Sequence, residues 1–480
     1  MADALAERHY EPVIGLEIHV QLRTRTKMFC GCELSFGEEP NTRTCPVCLG
    51  HPGTLPVTNA EAVHFGLMIA MALGCDVAPR SIFHRKNYFY PDLPKGYQIS
   101  QYDIPLGSAG QLGDVRVHRV HLEEDAAKLV HAGSSGRIHG AQASAVDFNR
   151  GGTPLVEIVS EPDLRSAADA AEWARLLRAT LRRLGVSDVN MEEGSLRVDA
   201  NVSIRPAGES TLGTKTELKN MNSFRFLERG IVAEIARQEA IVRDGGAVVQ
   251  ETLHFDPQTG DLSPLRSKEE AHDYRYFPEP DLVPLAPTEE MLARARDALP
   301  ELPAARAERL EEALGLPAAQ AKLLAFRGEL GDYYEEALAA GGGAHAGPLA
   351  NWVTGELLAR LGDAEPADSR VEPAAIAKLV AMVTEKRIAG NAGKEVLAVL
   401  ADEGGDPERI AEERSLGMAD TSELDAIVDR AIEQNADAVE KVRSGNDKAI
   451  GAIMGAVMRE TKGRADGGEV QRMIRERIHA

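Results

Sequence analysis

Four cysteines with the spacing of metal ligands stand near the start of the chain. Cys30 and Cys32 are separated by one residue, and after twelve further residues Cys45 and Cys48 are separated by two. Only one other cysteine, Cys75, occurs in the 480 residues. Two close cysteine pairs are typical of one tetrahedral zinc ion held between facing loops. Because four thiolates close the coordination sphere, we expect this zinc to brace a loop rather than to attack a substrate.

The segment that precedes the cysteines places a carboxylate and an imidazole on one face of a strand. In residues 13–22 apolar side chains alternate with polar ones, which include Glu17 and His19. Alternation with period two puts the polar set on one face of a sheet. Residues 196–205 and 215–219 repeat the pattern with Arg, Asp, Asn, Lys and Glu, residue types that indicate a metal-and-phosphate site. For Glu17 and His19 alone, an ordinary exposed strand face is the alternative.

Two further segments add carboxylates to this picture. Residues 121–125 form a short acidic cluster that can present several oxygens to a hard cation. Glu157 lies inside an apolar run, where a carboxylate is costly unless it is paired or bound to a metal. Mg²⁺ is normally held by a few carboxylates together with substrate phosphates. The sequence therefore predicts a magnesium site that is built from dispersed glutamates.

An aromatic loop at residues 85–92 is a second candidate for ligand contact. It contains three consecutive aromatic residues in a chain that is only 5% aromatic. Such a loop could stack on a base or a ribose, while Lys86 and Arg85 meet phosphate. An ordinary surface loop is the alternative.

Familiar nucleotide and hydrolase motifs are absent from the sequence. The segment 390–394 approaches a phosphate-binding loop but lacks the required gap and the Ser or Thr, and it reads as a loop that enters a helix. Any ATP chemistry must therefore use a different kind of site. There is also no G-x-S-x-G elbow, so no hydrolytic nucleophile is evident.

The composition points to a soluble cytoplasmic protein. The formal net charge of −21 argues against nonspecific binding to nucleic acid or to an anionic membrane. No apolar run approaches the roughly 18–20 residues that span a membrane, and thiolate ligands require a reducing compartment. The last 75 or so residues nevertheless contain a concentrated basic set, a modest signal for contact with an RNA backbone. Its members are Lys441, Arg443, Lys448, Arg459, Lys462 and Arg464.

The chain changes character near residue 290. Before this point it is rich in Gly, Pro, Asn, Tyr and β-branched residues, and helical patterns at 166–185 and 222–246 interrupt short alternating segments. After it, Ala, Leu, Glu, Arg and Lys recur with helical spacing. The proline-rich segment 277–287 reads as an extended connector at the junction. We predict an α+β domain with a mainly antiparallel, polar-faced sheet, followed by an all-α region.

Several motifs together resemble the GatB family, the GatB component of the GatCAB tRNA-dependent amidotransferases. The resemblance runs the length of the chain. The motifs that carry it are Val13-Ile-Gly-Leu-Glu-Ile-His19, Arg85-Lys-Asn-Tyr-Phe-Tyr-Pro-Asp92, Tyr97-Gln-Ile-Ser-Gln101, Leu122-Glu-Glu-Asp125, Asp147-Phe-Asn-Arg-Gly-Gly-Thr-Pro-Leu-Val-Glu157, Ser160-Glu-Pro-Asp163, Met191-Glu-Glu-Gly-Ser-Leu-Arg197, Asp199-Ala-Asn201, Glu217-Leu-Lys-Asn-Met-Asn-Ser-Phe224 and Asp273-Tyr-Arg-Tyr-Phe-Pro-Glu-Pro-Asp281.

The resemblance implies an ATP-dependent ligase that acts on mischarged tRNA. Such an enzyme phosphorylates the side-chain carboxylate of Glu-tRNA(Gln) or Asp-tRNA(Asn) and then aminates the acyl phosphate. Ammonia would come from glutamine hydrolysed in a GatA-type amidase subunit, and a GatC-type small subunit would complete the heterotrimer. The resemblance also implies a cradle-shaped catalytic domain over 1–290, a helical domain over 291–405 and a YqeY-like tRNA-binding tail over 406–480.

By the same likeness, individual residues receive expected roles. His19, Glu124 and Glu157 would bind Mg²⁺, while Glu17 and Glu217 would serve as further ligands or as polar neighbours. The side chain of Lys86 would steady the phosphate or the acyl intermediate. These six residues are the expected catalytic set, and ATP is an expected substrate. The structural zinc is expected on Cys30, Cys32, Cys45 and Cys48. The alternative is a zinc-braced scaffold that binds tRNA for a partner enzyme without catalysing the reaction.

Overall fold

The computed structural model describes residues 9–479 apart from 36, 133–142, 220, 267–273, 363, 365, 419–420, 445 and 462–463. Asp273 and Lys462, both singled out in the sequence, lie outside the described residues. The chain divides into two compact units, Met1–Leu302 and Pro303–Ala480. The predicted α+β fold followed by helices is confirmed.

The first unit is organised around one large sheet, and a separate hairpin forms a second. The strands are β1 (Tyr10–Gln21), β2 (Asp76–Val77), β3 (Phe83–Asn87), β4 (Tyr97–Gln101), β5 (Gly107–Leu112), β6 (Val115–Glu124), β7 (Lys128–Ala132), β8 (Ala143–Asp147), β9 (Pro154–Ser160), β10 (Leu196–Pro206), β11 (Thr216–Lys219), β12 (Thr252–Phe255), β13 (Leu262–Arg266) and β14 (Phe277–Pro278). The large sheet has the order β13-β12-β11-β10-β1-β9-β6-β4-β3-β14, β5 also pairs with β6 and with β2, and β7 pairs with β8. Among the described residues, β11 and β12 run parallel and the other neighbours are antiparallel.

Four helices belong to the first unit, among the residues that the structure describes. They are α1 (Ala60–Ala72), α2 (Ala167–Leu184), α3 (Phe224–Arg243) and α4 (Glu289–Asp297). The Ser166 side chain caps α2 by accepting from the backbone of Asp169, and Gly185 ends the helix in the left-handed region, as predicted. Leu177 and Leu181 of α2 are buried in one core with Leu16 of β1. The helices therefore cover the apolar face of the sheet.

Helix α4 extends the first unit beyond the predicted end at 290. Ala295 of α4 is fully buried in the same core, and Leu299 and Leu302 pack against it. The predicted further division at 405 lies inside the second unit, where it stays a prediction.

The proline-rich segment is extended, as predicted, but it is part of the first unit rather than a free connector. Phe277 and Pro278 pair with β3, and Leu285 forms a bridge with Ser81. The Glu279 carboxylate is fully buried and accepts two hydrogen bonds from the Arg85 guanidinium, at 2.7 and 2.8 Å. This bidentate pair joins positions that are 194 residues apart in the chain.

Replacement of Glu279 by Ala should therefore destabilise the first unit. The change leaves the Arg85 guanidinium partly buried without its main partner, and we expect the free energy of unfolding to fall by about 3 kcal/mol. Urea denaturation of the full chain measures the effect. Asp281 is the matched control, because it also contacts Arg85 but is 37% exposed, and its replacement by Ala should cost under about 1 kcal/mol. Equal effects of the two changes would contradict this account.

The second unit is helical. Its helices are α5 (Pro303–Leu314), α6 (Ala318–Phe326), α7 (Gly328–Ala340), α8 (Ala346–Asn351), a π-helical turn (Trp352–Leu357), α9 (Leu358–Leu361), α10 (Pro373–Thr384), α11 (Gly390–Glu403), α12 (Pro407–Glu413), α13 (Thr421–Gln434), α14 (Ala436–Arg443), α15 (Ile450–Glu460) and α16 (Gly467–His479), with 3₁₀ turns at Pro366–Asp368 and Asp447–Ala449. Gly390 begins α11, so the segment 390–394 enters a helix as predicted. Two apolar cores lie within this unit, one before and one after residue 420.

The basic tail has mixed surroundings. Lys441, Lys448 and Arg459 are exposed, whereas Arg464 is partly buried and pairs with Glu423 at 3.5 Å. Contact of this tail with RNA stays a prediction. In the part of the chain that the structure describes, no helix combines the length and the apolar character needed to cross a membrane.

Candidate metal centres and active site

Strand register brings polar side chains from distant parts of the sequence into one row. On the polar face of the large sheet, His19 of β1 lies opposite Glu157 of β9, and Glu157 lies opposite His121 of β6. Glu123 is two residues further along β6 and shares the face of His121, since successive side chains of a strand alternate between faces. Four ionisable groups thus meet at the centre of the sheet.

Three of these side chains form a group that could hold a metal ion. One ligand atom each from His19, Glu123 and Glu157 lies within 4.8 Å of the other two. His19 Nε2 is 3.4 Å from a Glu157 oxygen and 3.6 Å from a Glu123 oxygen. His121 Nε2 lies 3.3 Å from Glu157 and 3.6 Å from Glu123, and Arg119 contacts the other Glu157 oxygen at 3.2 Å. We call His19, Glu123 and Glu157 the carboxylate cluster.

Burial and charge act against each other in this cluster. Burial alone would lower the pKa of His121, but the negative charges and hydrogen bonds of Glu157 and Glu123 outweigh it and raise that pKa to about 9. Burial would raise the pKa of Glu157 and of Glu123, yet His121 and His19 hold both below their usual range. Both carboxylates are therefore ionised at neutral pH, which is the state that a hard cation requires.

Glu124 lies apart from the carboxylate cluster, although the resemblance grouped it with His19 and Glu157. Its side chain turns away from Glu123, as alternation along β6 requires. One Glu124 oxygen contacts the Lys95 ammonium and accepts a hydrogen bond from the backbone of Ile99 at 3.0 Å. The structure brings Glu123 to the position that was expected for Glu124.

Glu17 and Glu217 line the polar face further along the sheet. A Glu17 oxygen accepts from the Asn201 amide at 2.8 Å, and Glu217 accepts from the Thr252 hydroxyl at 2.9 Å. Lys219 stands between Glu217 and Asp199, with its Nζ 3.3 Å and 2.7 Å from their oxygens. These carboxylates therefore form a second polar patch beside the cluster, and the ammonium group neutralises part of its charge.

Lys86 is on the polar face of β3. Lys86 shares a face with His84, because the two are two residues apart on the strand. His84 pairs with Ser100 of β4, and the Ser100 hydroxyl contacts a Glu123 oxygen at 3.1 Å. The Lys86 ammonium stands 4.7 Å above the centre of the Tyr274 ring. Lys86 therefore lies in a strand rather than in the predicted loop, and the ring that it contacts, Tyr274, lies outside the segment 85–92. The face on which Lys86 lies is that of the cluster.

The four cysteines converge as their spacing predicts. One sulfur from each lies within 4.8 Å of the others, which fits the separations in a tetrahedral all-thiolate zinc site. The thiol of Cys30 donates toward Cys48 and lowers the pKa of Cys48 to about 4. The buried Lys27 ammonium lies 3.7 Å from the Cys48 sulfur and donates to the Phe148 carbonyl at 2.9 Å. A positive charge therefore lies beside the Cys48 thiolate, whereas burial and the neighbouring cysteines raise the pKa of the Cys30 and Cys32 thiols.

The cysteine loop occupies the segment between β1 and α1. Asn59 caps α1 by accepting from the backbone of Glu61 and Ala62, and its amide donates to carbonyls of Thr26 and Lys27. The loop is thus tied at one end to the strand that carries His19 and at the other to a core helix.

Comparison with known proteins adds a family to this geometry. A family model described as the GatB/GatE catalytic domain matches residues 12–293, and a model described as the GatB domain (GatB_Yqey) matches residues 332–478. The chain belongs to the GatB family. The GatB subunit of an aspartyl/glutamyl-tRNA(Asn/Gln) amidotransferase from Moorella thermoacetica is 49% identical over 98% of this chain and 100% of its own length. The proteins of the same name from Geobacter sulfurreducens and Geotalea daltonii are 48% and 47% identical, each over 98% of this chain and 99% of their own length.

Membership of the GatB family confirms the resemblance that the motifs indicated. The catalytic-domain model covers both groups that could hold a metal ion, and the second model covers most of the helical unit. The roles of individual residues stay predictions. In the sequence, His121 and Glu123 stand out only as parts of an acidic stretch. The signal that could have identified them is their spacing of two residues, which places both side chains on one face of a strand.

One cavity adjoins the polar face of this sheet, and a second adjoins its apolar face. One has a volume of about 320 Å³, and its walls include Gly15, Glu17, Asn201 and Leu212. The other has a volume of about 250 Å³ and is lined by the cysteine loop and by side chains that include Arg85, Lys95 and Glu124. The first of these volumes lies within the size range of small-ligand pockets, and the second lies just below it.

Proposed function

We propose that this chain is the tRNA-acting subunit of an ATP-dependent amidotransferase. It would convert Glu-tRNA(Gln) to Gln-tRNA(Gln), Asp-tRNA(Asn) to Asn-tRNA(Asn), or both, through an acyl phosphate. The observation that carries the proposal is the carboxylate cluster on a polar-faced sheet, in a family whose members carry the amidotransferase name. A scaffold that only held tRNA would not need a buried group of two carboxylates and an imidazole.

In this proposal Mg²⁺ is held by His19, Glu123 and Glu157. When bound, the ion would offset the repulsion between the substrate carboxylate and the ATP phosphates. His121 and Arg119 contact Glu157 and fix its two oxygens, which is the role of outer groups around metal ligands. Glu17 and Glu217 would serve as further ligands or as polar neighbours of the phosphates. Lys86 would donate to phosphate from the same face.

We infer that ATP places its nucleoside in the cavity above Gly15. Gly15, Glu17 and His19 follow one another on the polar face of β1, and at about 3.3 Å per residue Gly15 is roughly 13 Å from His19. A ribose and an extended triphosphate can bridge such a distance. Because Gly15 has no side chain, the floor of the cavity is open to a planar base.

Replacement of Gly15 by Leu should fill this cavity and raise the KM for ATP about tenfold or more. Gly15→Ala is the matched control, since an added methyl would meet Pro162 at an ordinary 3.7 Å and leave most of the space. Steady-state amidation at varied ATP measures both variants. An unchanged KM in a folded Gly15→Leu enzyme would remove the nucleoside from this cavity.

The proposed partners are a GatA-type amidase subunit, which releases ammonia from glutamine, and a GatC-type small subunit. The sequence supplies no hydrolytic nucleophile for that step. The cavity lined by Lys95 and Glu124 supports an ammonia route. It reaches Glu124 on the apolar side of β6, and Glu124 is the chain neighbour of Glu123 in the carboxylate cluster. We propose the cytoplasm, where aminoacyl-tRNA is made, as the compartment.

Amidation by the co-purified complex tests the proposed function. Each mischarged tRNA is supplied separately with glutamine, with and without ATP. We expect Gln-tRNA(Gln), Asn-tRNA(Asn) or both to form only when ATP is present. A complex that binds mischarged tRNA and hydrolyses glutamine but forms neither product would leave the scaffold as the better description.

A further inference from the structure

A row of tyrosine rings lies on the polar face beside the carboxylate cluster. Five of the nine tyrosines in the chain belong to it, in the order Tyr90, Tyr88, Tyr274, Tyr276 and Tyr102, and we call them the tyrosine row. Successive ring centres are 5.8, 6.5, 6.0 and 4.2 Å apart. These separations are those of interacting aromatic pairs. The row joins three segments that are separate in sequence, 88–90, 102 and 274–276.

One end of the tyrosine row reaches the carboxylate cluster. Tyr102 follows Ser100 by two residues, and the Ser100 hydroxyl contacts a Glu123 oxygen at 3.1 Å. The Tyr102 and Tyr276 rings are stacked with an angle of 7° between their planes. Burial, together with the negative charges of Glu123 and Glu157, raises the pKa of the Tyr276 phenol, so this ring lies within electrostatic reach of both carboxylates.

The other end of the row leads outward to solvent. Tyr90 is 37% exposed and its neighbour Phe89 is 87% exposed, while Tyr102 at the inner end is still 47% exposed. None of the five tyrosines is among the buried core residues of the first unit. Tyr90 and Tyr102, at the two ends of the row, therefore present aromatic surface to solvent, while the three rings between them are half-buried.

Cationic groups accompany these rings. Lys86 stands 4.7 Å above Tyr274, and Arg119 lies beside Glu157 at the inner end. Exposed aromatic rings with adjoining cations are the features by which proteins bind single-stranded RNA, since bases stack on rings of any sequence and phosphates meet the cations. A protein partner would also cover aromatic surface, but it would not explain why the row ends at the proposed reaction site.

We propose that the tyrosine row binds the unpaired 3′ end of the tRNA substrate by stacking on its bases. The terminal adenosine would lie on Tyr102, so that the amino acid on its ribose enters the carboxylate cluster. Tyr102 is then a positioning residue for the reaction. This inference rests on the proposed function.

Binding of a deacylated acceptor-stem minihelix to the co-purified complex tests the inference. The wild-type complex should bind the minihelix with its complete 3′ end more tightly than one without the unpaired nucleotides. Tyr102→Ala should weaken binding of the complete minihelix roughly 5- to 100-fold and should leave binding of the truncated one unchanged. Tyr102→Phe keeps the ring and should retain the preference. Val232→Ala, at a 55% exposed position on α3, is the surface control.

Two outcomes would overturn the inference. One is a wild-type complex with no preference for the complete 3′ end. The other is a Tyr102→Ala variant that keeps the full preference, or that loses its partner subunits instead, which would make the row a protein interface. Because the minihelix carries no amino acid and the assay needs no ATP, its result is independent of amidation. Absence of amidation with an intact preference would contradict the proposed function and leave the binding site standing.

Discussion

Replacement of Glu157 by Gln should reduce ATP-dependent amidation by the reconstituted complex about 1000-fold. The change removes one of two negative charges from the carboxylate cluster, and the metal and phosphates that depend on it lose several kcal/mol of stabilisation. Glu123→Gln should have a similar effect, because its carboxylate lies equally near His19 and His121. Product formation from mischarged tRNA, with glutamine hydrolysis measured in parallel, records the loss.

Glu124 provides a matched control for metal binding. It is the next residue on the same strand, has the same side chain as Glu123 and turns away from the cluster. Binding of Mn²⁺ as a probe, measured by calorimetry, should disappear in Glu123→Gln and Glu157→Gln and persist in Glu124→Gln. Loss of the ion in Glu124→Gln alone would instead favour the ligand set implied by the resemblance. Circular dichroism of each variant distinguishes these outcomes from unfolding.

Replacement of Cys45 by Ser should remove the structural zinc and destabilise the first unit. We expect about one zinc per wild-type chain, and a bound ion at a free concentration a thousandfold above its Kd contributes about 4 kcal/mol to folding. Zinc analysis and thermal unfolding of the full chain measure the two effects. Cys75→Ser is the control, since Cys75 stands outside the quartet, and it should keep its metal. Zinc retained in a Cys30/Cys45 double variant would disprove the assignment.

The sequence was sufficient for the features that depend on local spacing. The cysteine quartet is set by residues close together in the chain, and period-two alternation puts Glu17 and His19 on a polar face before any pairing is known. The caps of α2 were also readable, because Ser166 and Gly185 act on their own helix. Each of these features needs no information about which strands are neighbours.

The composition of the carboxylate cluster could not be predicted in the same way. Its members come from β1, β6 and β9, and their meeting depends on the register His19–Glu157–His121 across three strands. A β-bulge between Val117 and Arg119 also shifts the alternation along β6. Strict alternation from Val115 therefore assigns Glu123 to the apolar face and Glu124 to the polar face, which is the reverse of the structure. The resemblance pointed to Glu124, and the strand geometry points to Glu123.

The neighbouring glutamates of β6 have a consequence for tolerated sequence change. Glu123 belongs to the carboxylate cluster and Glu124 contacts Lys95, so one strand serves two sites on its opposite sides. An insertion or deletion of one residue between the bulge and Asp125 would exchange the two carboxylates and disable both sites at once. The turn between β5 and β6 has no such restriction. Length variation among relatives should therefore collect in that turn and be excluded from the part of β6 that follows the bulge.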